Sequence, residues 1–201
     1  MNVVARCARG ALLLLLLLTV PGRARGQSPE QANRNWDLEV WVAGATGEEN
    51  RDSFAEAQIF SAGVSLGRVL TDELGDGWRR GHLEYVFNLM PVFVHLTPQL
   101  LYGGGLEPAI LRWNSGLRAG RVAPYLELAG GGLWTNGNLP AGETSAFNFT
   151  ARGGGGIEIF AANKRSVDVG FRWWHISNAN LGAKNPEFNG FQVSLGYHWF
   201  K

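Results

Sequence analysis

The chain predicts an all-β fold, an eight-stranded antiparallel transmembrane β-barrel. Three observations carry that expectation. Apolar and polar residues alternate with period two over segments of about ten residues, separated by turn residues, as barrel strands with one lipid face and one lumen face do. The chain opens on an export signal. Aromatic residues gather near segment ends (Trp134, Trp173, Trp174, Trp199), as at the two interfaces of a bilayer, and the last segment closes on Trp199-Phe200 before Lys201.

The signal occupies residues 1–26. Arg6 and Arg9 form a positive start, Ala11 to Val20 an apolar run dominated by leucine, and Pro21-Gly22 breaks it. Ala24-Arg25-Gly26 supplies small residues for cleavage after Gly26. Ten apolar residues are too few for a spanning helix, which needs about 20. Cleavage removes four arginines and no acid, so 18 basic residues fall to 14 against 17 acidic ones and the net charge moves from +1 to −3. That balance argues against a nucleic-acid partner. The single cysteine, Cys7, leaves with the signal, so the exported chain has no disulfide to form. Residues 27–35 are polar and read as a flexible lead-in, which leaves 36–201 for the barrel.

Eight segments follow, over about 37–45, 55–70, 78–90, 109–120, 122–135, 145–161, 166–176 and 190–200. The alternation is cleanest at the end of the chain. Phe191, Val193, Leu195, Tyr197 and Trp199 share one face, against Gln192, Ser194, Gly196 and His198. One segment earlier, Val167, Val169, Phe171 and Trp173 oppose Ser166, Asp168, Gly170 and Arg172. Glu127, Arg152, Glu158, Asp168 and Arg172 all fall on the polar face, which predicts paired charges inside the lumen. Connections alternate between the two sides of a barrel. The long ones expected near 91–108, 136–144 and 177–189 fall on one side, and short turns near 119–121 and 162–165 on the other.

The seventh segment runs into Trp174-His175-Ile176-Ser177-Asn178-Ala179, then a loop with Asn185-Pro186-Glu187. Residues two apart in a strand share a face, about 7 Å apart along it. His175 and Ser177 therefore point the same way, within rotamer reach of each other. A serine hydroxyl becomes a nucleophile when an adjacent base takes its proton. A His and a Ser so spaced are more often plain surface polarity. What distinguishes this pair is its parity: both continue the apolar row Val167, Val169, Phe171, Trp173, at the end of the strand. Polar groups on a lipid-facing row are expensive.

The string His175-Ile176-Ser177-Asn178-Ala179 on the penultimate strand, with Asn185-Pro186 and the final strand, resembles the outer-membrane lipid A 3-O-deacylase (PagL, acyloxyacyl hydrolase) family. The likeness is specific over the last thirty residues and architectural elsewhere. It implies an eight-stranded outer-membrane barrel that hydrolyses the 3-linked acyl ester of lipid A, with lipopolysaccharide in its own membrane as substrate. Ser177 would be the nucleophile, His175 the base, and Asn178 an oxyanion donor through its amide. The family places an acid near the start of the last strand. Here Asn189 stands at that position and Glu187 two residues earlier on the same parity. The expectation is that Glu187 orients His175; the alternatives are that Asn189 does so, or that the pair works without an acid.

Other motifs read blandly. Gly103–Gly105 and Gly153–Gly156 lack the lysine and the helix of a phosphate loop, and read as room for close packing. His82, His95 and His198 show no ligand spacing, so no metal or other cofactor is expected. Two rival readings remain: a non-catalytic structural or adhesive barrel, and a soluble ligand-binding barrel with its apolar face inside. The oligomeric state stays open between monomer and homodimer.

Overall fold

The structure, a computed structural model, describes residues 35–48, 57–140, 144–161 and 164–201. The expected signal, and all of the expected lead-in but Asn35, lie outside the described residues. The strands are β1 (Trp36–Gly47), β2 (Gln58–Val69), β3 (Gly81–Thr97), β4 (Leu101–Ser115), β5 (Val122–Leu139), β6 (Ser145–Ala161), β7 (Arg165–Ser177) and β8 (Phe188–Phe200). Each pairs antiparallel with its sequence neighbours, and β8 returns to β1, so the sheet is a closed barrel. Closure leaves no row of unpaired peptide groups, the condition for crossing hydrocarbon with strands. The barrel's two termini, Trp36 and Lys201, lie at one end, where the N–H of Trp36 donates to the Lys201 carbonyl at 3.2 Å.

Side-chain parity sorts the barrel. Along β7, Ser166, Asp168, Gly170, Arg172 and Trp174 are buried inside, while Val169, Phe171 and Trp173 are exposed outside. The same holds around the wall: Val40, Leu66, Leu111, Leu128 and Val193 all face outward and exposed. In water such a continuous apolar surface would drive association; around a bilayer it is the lipid contact. This excludes the soluble barrel with its apolar face inside.

The interior is layered rather than uniformly polar. At the rim away from the termini it is an apolar plug in which Trp174 meets Phe93 and Phe188 edge-on, with centroids 6.1 and 6.0 Å away. Trp174 thus belongs to the core and not to the aromatic girdle, because its even parity turns it inward. A charged middle layer follows. Near the termini Ala123, Phe160 and Phe200 close the barrel. The lumen is filled, as expected of a barrel with only eight strands.

One expectation is overturned. The long connection predicted at 91–108 is instead a hairpin: β3 runs to Thr97 and β4 starts at Leu101. Prolines and glycines there suggest a loop, but the sheet absorbs them. Pro91 sits in the register shift between Met90 and Phe93, and Pro108 in the one between Leu106 and Ala109, where bulges excuse a missing N–H. Gly103 allows a close approach, since a Cβ there would lie 2.1 Å from the Trp134 carbonyl oxygen. The connection expected at 136–144 also shortens, to residues 140–144, because β5 runs on to Leu139, whereas the one expected at 177–189 remains long, as residues 178–187, and borders the site.

Candidate functional site

β7 delivers His175 and Ser177 to the outer wall at the rim away from the termini. Extended backbone puts them on one face, and the rotamers lean together: His175 Nε2 and Ser177 Oγ are 2.9 Å apart. The imidazole is flanked by the Trp173 indole, nearly parallel to it (18°) at 5.8 Å. Its other nitrogen is set by strand register. Asn189 lies directly opposite His175 in the β7–β8 ladder, and Asn189 Oδ1 is 2.8 Å from His175 Nδ1. Glu187, one residue before β8 begins, reaches only to 4.0 Å from the same nitrogen. Its Oε2 instead accepts a hydrogen bond from Asn189 Nδ2 at 3.2 Å.

The polar groups therefore form one chain along the outer rim: Ser177, His175, Asn189, Glu187. Of the sequence candidates, His175 and Ser177 touch, Asn189 touches the imidazole, and Glu187 touches Asn189. Asn178 lies apart. It is turned inward and buried, its main-chain N–H donates to Asn185 Oδ1 at 2.9 Å, and its Nδ2 donates to the Lys184 carbonyl at 2.8 Å. Both of these donor bonds tie the loop after Ser177 back on itself. Asn185 is thereby a structural part of the site. Gly182 rests close on Thr144, where a Cβ would come within 2.7 Å of that backbone.

The hydroxyl is bordered by aromatic wall. Ser177 pairs with Phe149 of β6, which meets Phe147 edge-on at a centroid distance of 5.1 Å, and Phe147 in turn lies 4.8 Å from Trp134. Phe171 and Phe191 stack on the other side, 5.4 Å apart. An ester presented to Ser177 would meet apolar surface on both flanks.

Inside the barrel the charges pair densely. Arg172 bonds Glu127, Ser194 and Tyr125. Arg112 lies 3.0 Å from Glu127 and 3.5 Å from Glu39, and Arg152 is 2.5 Å from Glu107. His198, which sequence spacing left isolated, bridges Asp37 at 2.9 Å and Asp168 at 3.1 Å. With Glu39 and Asp168 it forms a group whose candidate ligand atoms lie within 4.8 Å of one another. Both ring nitrogens are engaged by aspartates, so the group reads as a cross-brace between β1, β7 and β8. Its members are far apart in sequence, which is why spacing missed it.

Comparison with known proteins agrees with this fold. The family model for lipid A 3-O-deacylase (PagL) matches residues 70–198. Among solved structures, the chain is similar to the outer membrane enzyme PagL, with a TM-score of 0.55 and 19% identity over 81% of this chain and 98% of that one. It is similar also to Neisserial surface protein A, with a TM-score of 0.55 and 16% identity over 83% and 97%. At these identities the two structures speak for the barrel fold alone. No curated protein sequence matches the chain. The family model spans well over half of it, including every residue of the outer rim chain, and on that ground the protein belongs to the PagL family of lipid A 3-O-deacylases.

Proposed function

We propose that this protein is an outer-membrane esterase that removes the 3-linked acyl chain of lipid A. The observation that carries the reading is a serine hydroxyl held 2.9 Å from an imidazole on the bilayer face of a PagL-family barrel. Lipid A reaches such a site by diffusing in the outer leaflet, which accounts for a nucleophile outside the barrel rather than in a lumen that is filled.

In this mechanism the Ser177 hydroxyl donates to His175 Nε2, which accepts its proton as Oγ attacks the ester carbonyl. The carbon–oxygen bond to the sugar then breaks, and the imidazolium returns the proton to the leaving sugar hydroxyl. Water, activated by the same imidazole, releases the fatty acid from Ser177. His175 must carry its resting proton on Nδ1, and Asn189 Oδ1 accepts that N–H. Asn178 gives its main-chain N–H to Asn185 Oδ1. A role at the oxyanion therefore requires the 178–187 loop to rearrange when substrate binds.

The test is expression of the full chain in cells bearing 3-acylated lipid A, with mass spectrometry of the extracted lipid. Wild type should remove one 3-hydroxyacyl group, and Ser177→Ala should leave lipid A intact while still forming a heat-modifiable barrel in the outer membrane. Identical lipid A in the two strains, or deacylation surviving in Ser177→Ala, overturns the proposal.

A further inference from the structure

We infer that Glu187 is a positioning residue that acts through Asn189, selecting the carboxamide orientation that makes His175 a base. The inference rests on the Ser177–His175 reading above and goes beyond it, because it assigns work to a carboxylate that does not bond the imidazole.

A carboxamide is two-faced: its oxygen only accepts and its NH2 only donates. Turned one way, Asn189 offers Oδ1 to His175 Nδ1, which then carries the proton and leaves Nε2 as a lone pair facing Ser177. Turned by 180°, it offers NH2, Nδ1 becomes the acceptor, and the proton moves to Nε2, where it blocks transfer from the serine. Asparagine by itself does not choose strongly between the two. A glutamate or aspartate at position 189 would have had no such ambiguity, since a carboxylate accepts with either oxygen.

Glu187 removes the ambiguity. Its carboxylate has no hydrogen to donate, so it pairs only with the NH2 face of Asn189, at 3.2 Å. That contact commits Oδ1 to His175 at 2.8 Å. The geometry permits it because residues 187 and 189 share parity across the start of β8, while Phe188 between them turns inward to the apolar plug. Asn189 is buried and in ladder register with His175, while the Glu187 side chain is 45% exposed. The negative charge also sits 4.0 Å from Nδ1, where it favours the imidazolium formed during proton transfer. The acid function of a triad is thus split between a neutral group that touches the imidazole and a charged one behind it.

The experiment uses the full-length barrel refolded in detergent micelles, with purified lipid A as substrate and 15N-labelled histidine for the tautomer of His175. Glu187→Gln keeps size and polarity but can present either face to Asn189. It should lower kcat by about tenfold to a hundredfold, with KM within about twofold, the range seen when an outer partner of a reacting group is lost. The His175 signals should move from the Nδ1–H tautomer toward a mixture. Asn189→Asp supplies the carboxylate directly, so in that background Glu187→Gln should change kcat by less than about twofold. An unaltered rate and tautomer in Glu187→Gln, or an equal loss in both backgrounds, overturns the inference. Ser177→Ala is run alongside. If it retains activity, the hydrolase reading itself fails; if it is inactive and Glu187→Gln is not impaired, only the role of Glu187 does.

Discussion

Strand β7 builds two polar clusters back to back, and they are made of different material. On its inner face Asp168 and Arg172 join a mesh of buried charges, with Tyr125 donating to Asp168 at 2.5 Å and His198 bridging two aspartates. On its outer face His175 and Ser177 belong to a short chain that ends at a half-exposed carboxylate. Each cluster contains a histidine with both ring nitrogens engaged. His198 sits wholly inside, braced between charged groups, with no room for a substrate. His175 has a neutral amide on one nitrogen and a hydroxyl on the other, beside open apolar wall. Burial among charges makes a brace; partial exposure beside a hydroxyl makes a candidate site.

Substituting the two histidines should break the comparison apart. His175→Ala removes the proposed base and should cut deacylation by about ten-thousandfold, with barrel stability in a urea titration unchanged within error. His198→Ala should behave in the opposite way. It removes hydrogen bonds from two buried carboxylates, Asp37 and Asp168, and losing the partner of a buried polar group costs about 1 to 3 kcal/mol. Unfolding in lipid vesicles should shift to clearly lower urea, while specific activity per folded molecule stays within about twofold of wild type. Should His198→Ala abolish activity in a fully folded barrel, the division between brace and site is wrong.

Smaller effects sharpen the contrast. Asn189→Ala removes the hydrogen bond from the imidazole and with it the link to Glu187, so activity should fall by about tenfold to a hundredfold, as in Glu187→Gln, and far less than in His175→Ala. The smallest effect should come from Glu73→Ala, at the end bearing the termini. Its 3.2 Å contact with Arg80 is between side chains 34% and 40% exposed, where solvent screening leaves about 0.5 kcal/mol or less. A large loss of stability there would show that the connection at 70–80, with its single 3-10 turn at Gly77–Arg79, holds the barrel more firmly than exposed contacts explain.

Much of the barrel was legible because period two is a strong signal wherever a strand separates lipid from lumen. β6 is Ser145–Ala161 in both sequence and structure, and β7 and β8 differ from expectation only at their ends. The signal failed between Met90 and Ala109, where bulges shift parity within a strand and prolines occupy the gaps. Two apolar faces then interleave, and a continuous hairpin resembles a loop. Trp174 misled for a related reason: aromatic identity suggests an interface, whereas parity decides which side of the wall a ring occupies.

The outer-rim site divides in the same way. The sequence by itself determined that His175 and Ser177 share a face and that the face is apolar, because both facts follow from alternation along one strand. Only the tertiary structure decided what meets the other side of the imidazole. That depends on the register between β7 and β8, which pairs His175 with Asn189 and leaves Glu187 one step beyond the ladder. Register is fixed by hydrogen bonds and packing along two whole strands, so no local reading of the 185–189 stretch contains it.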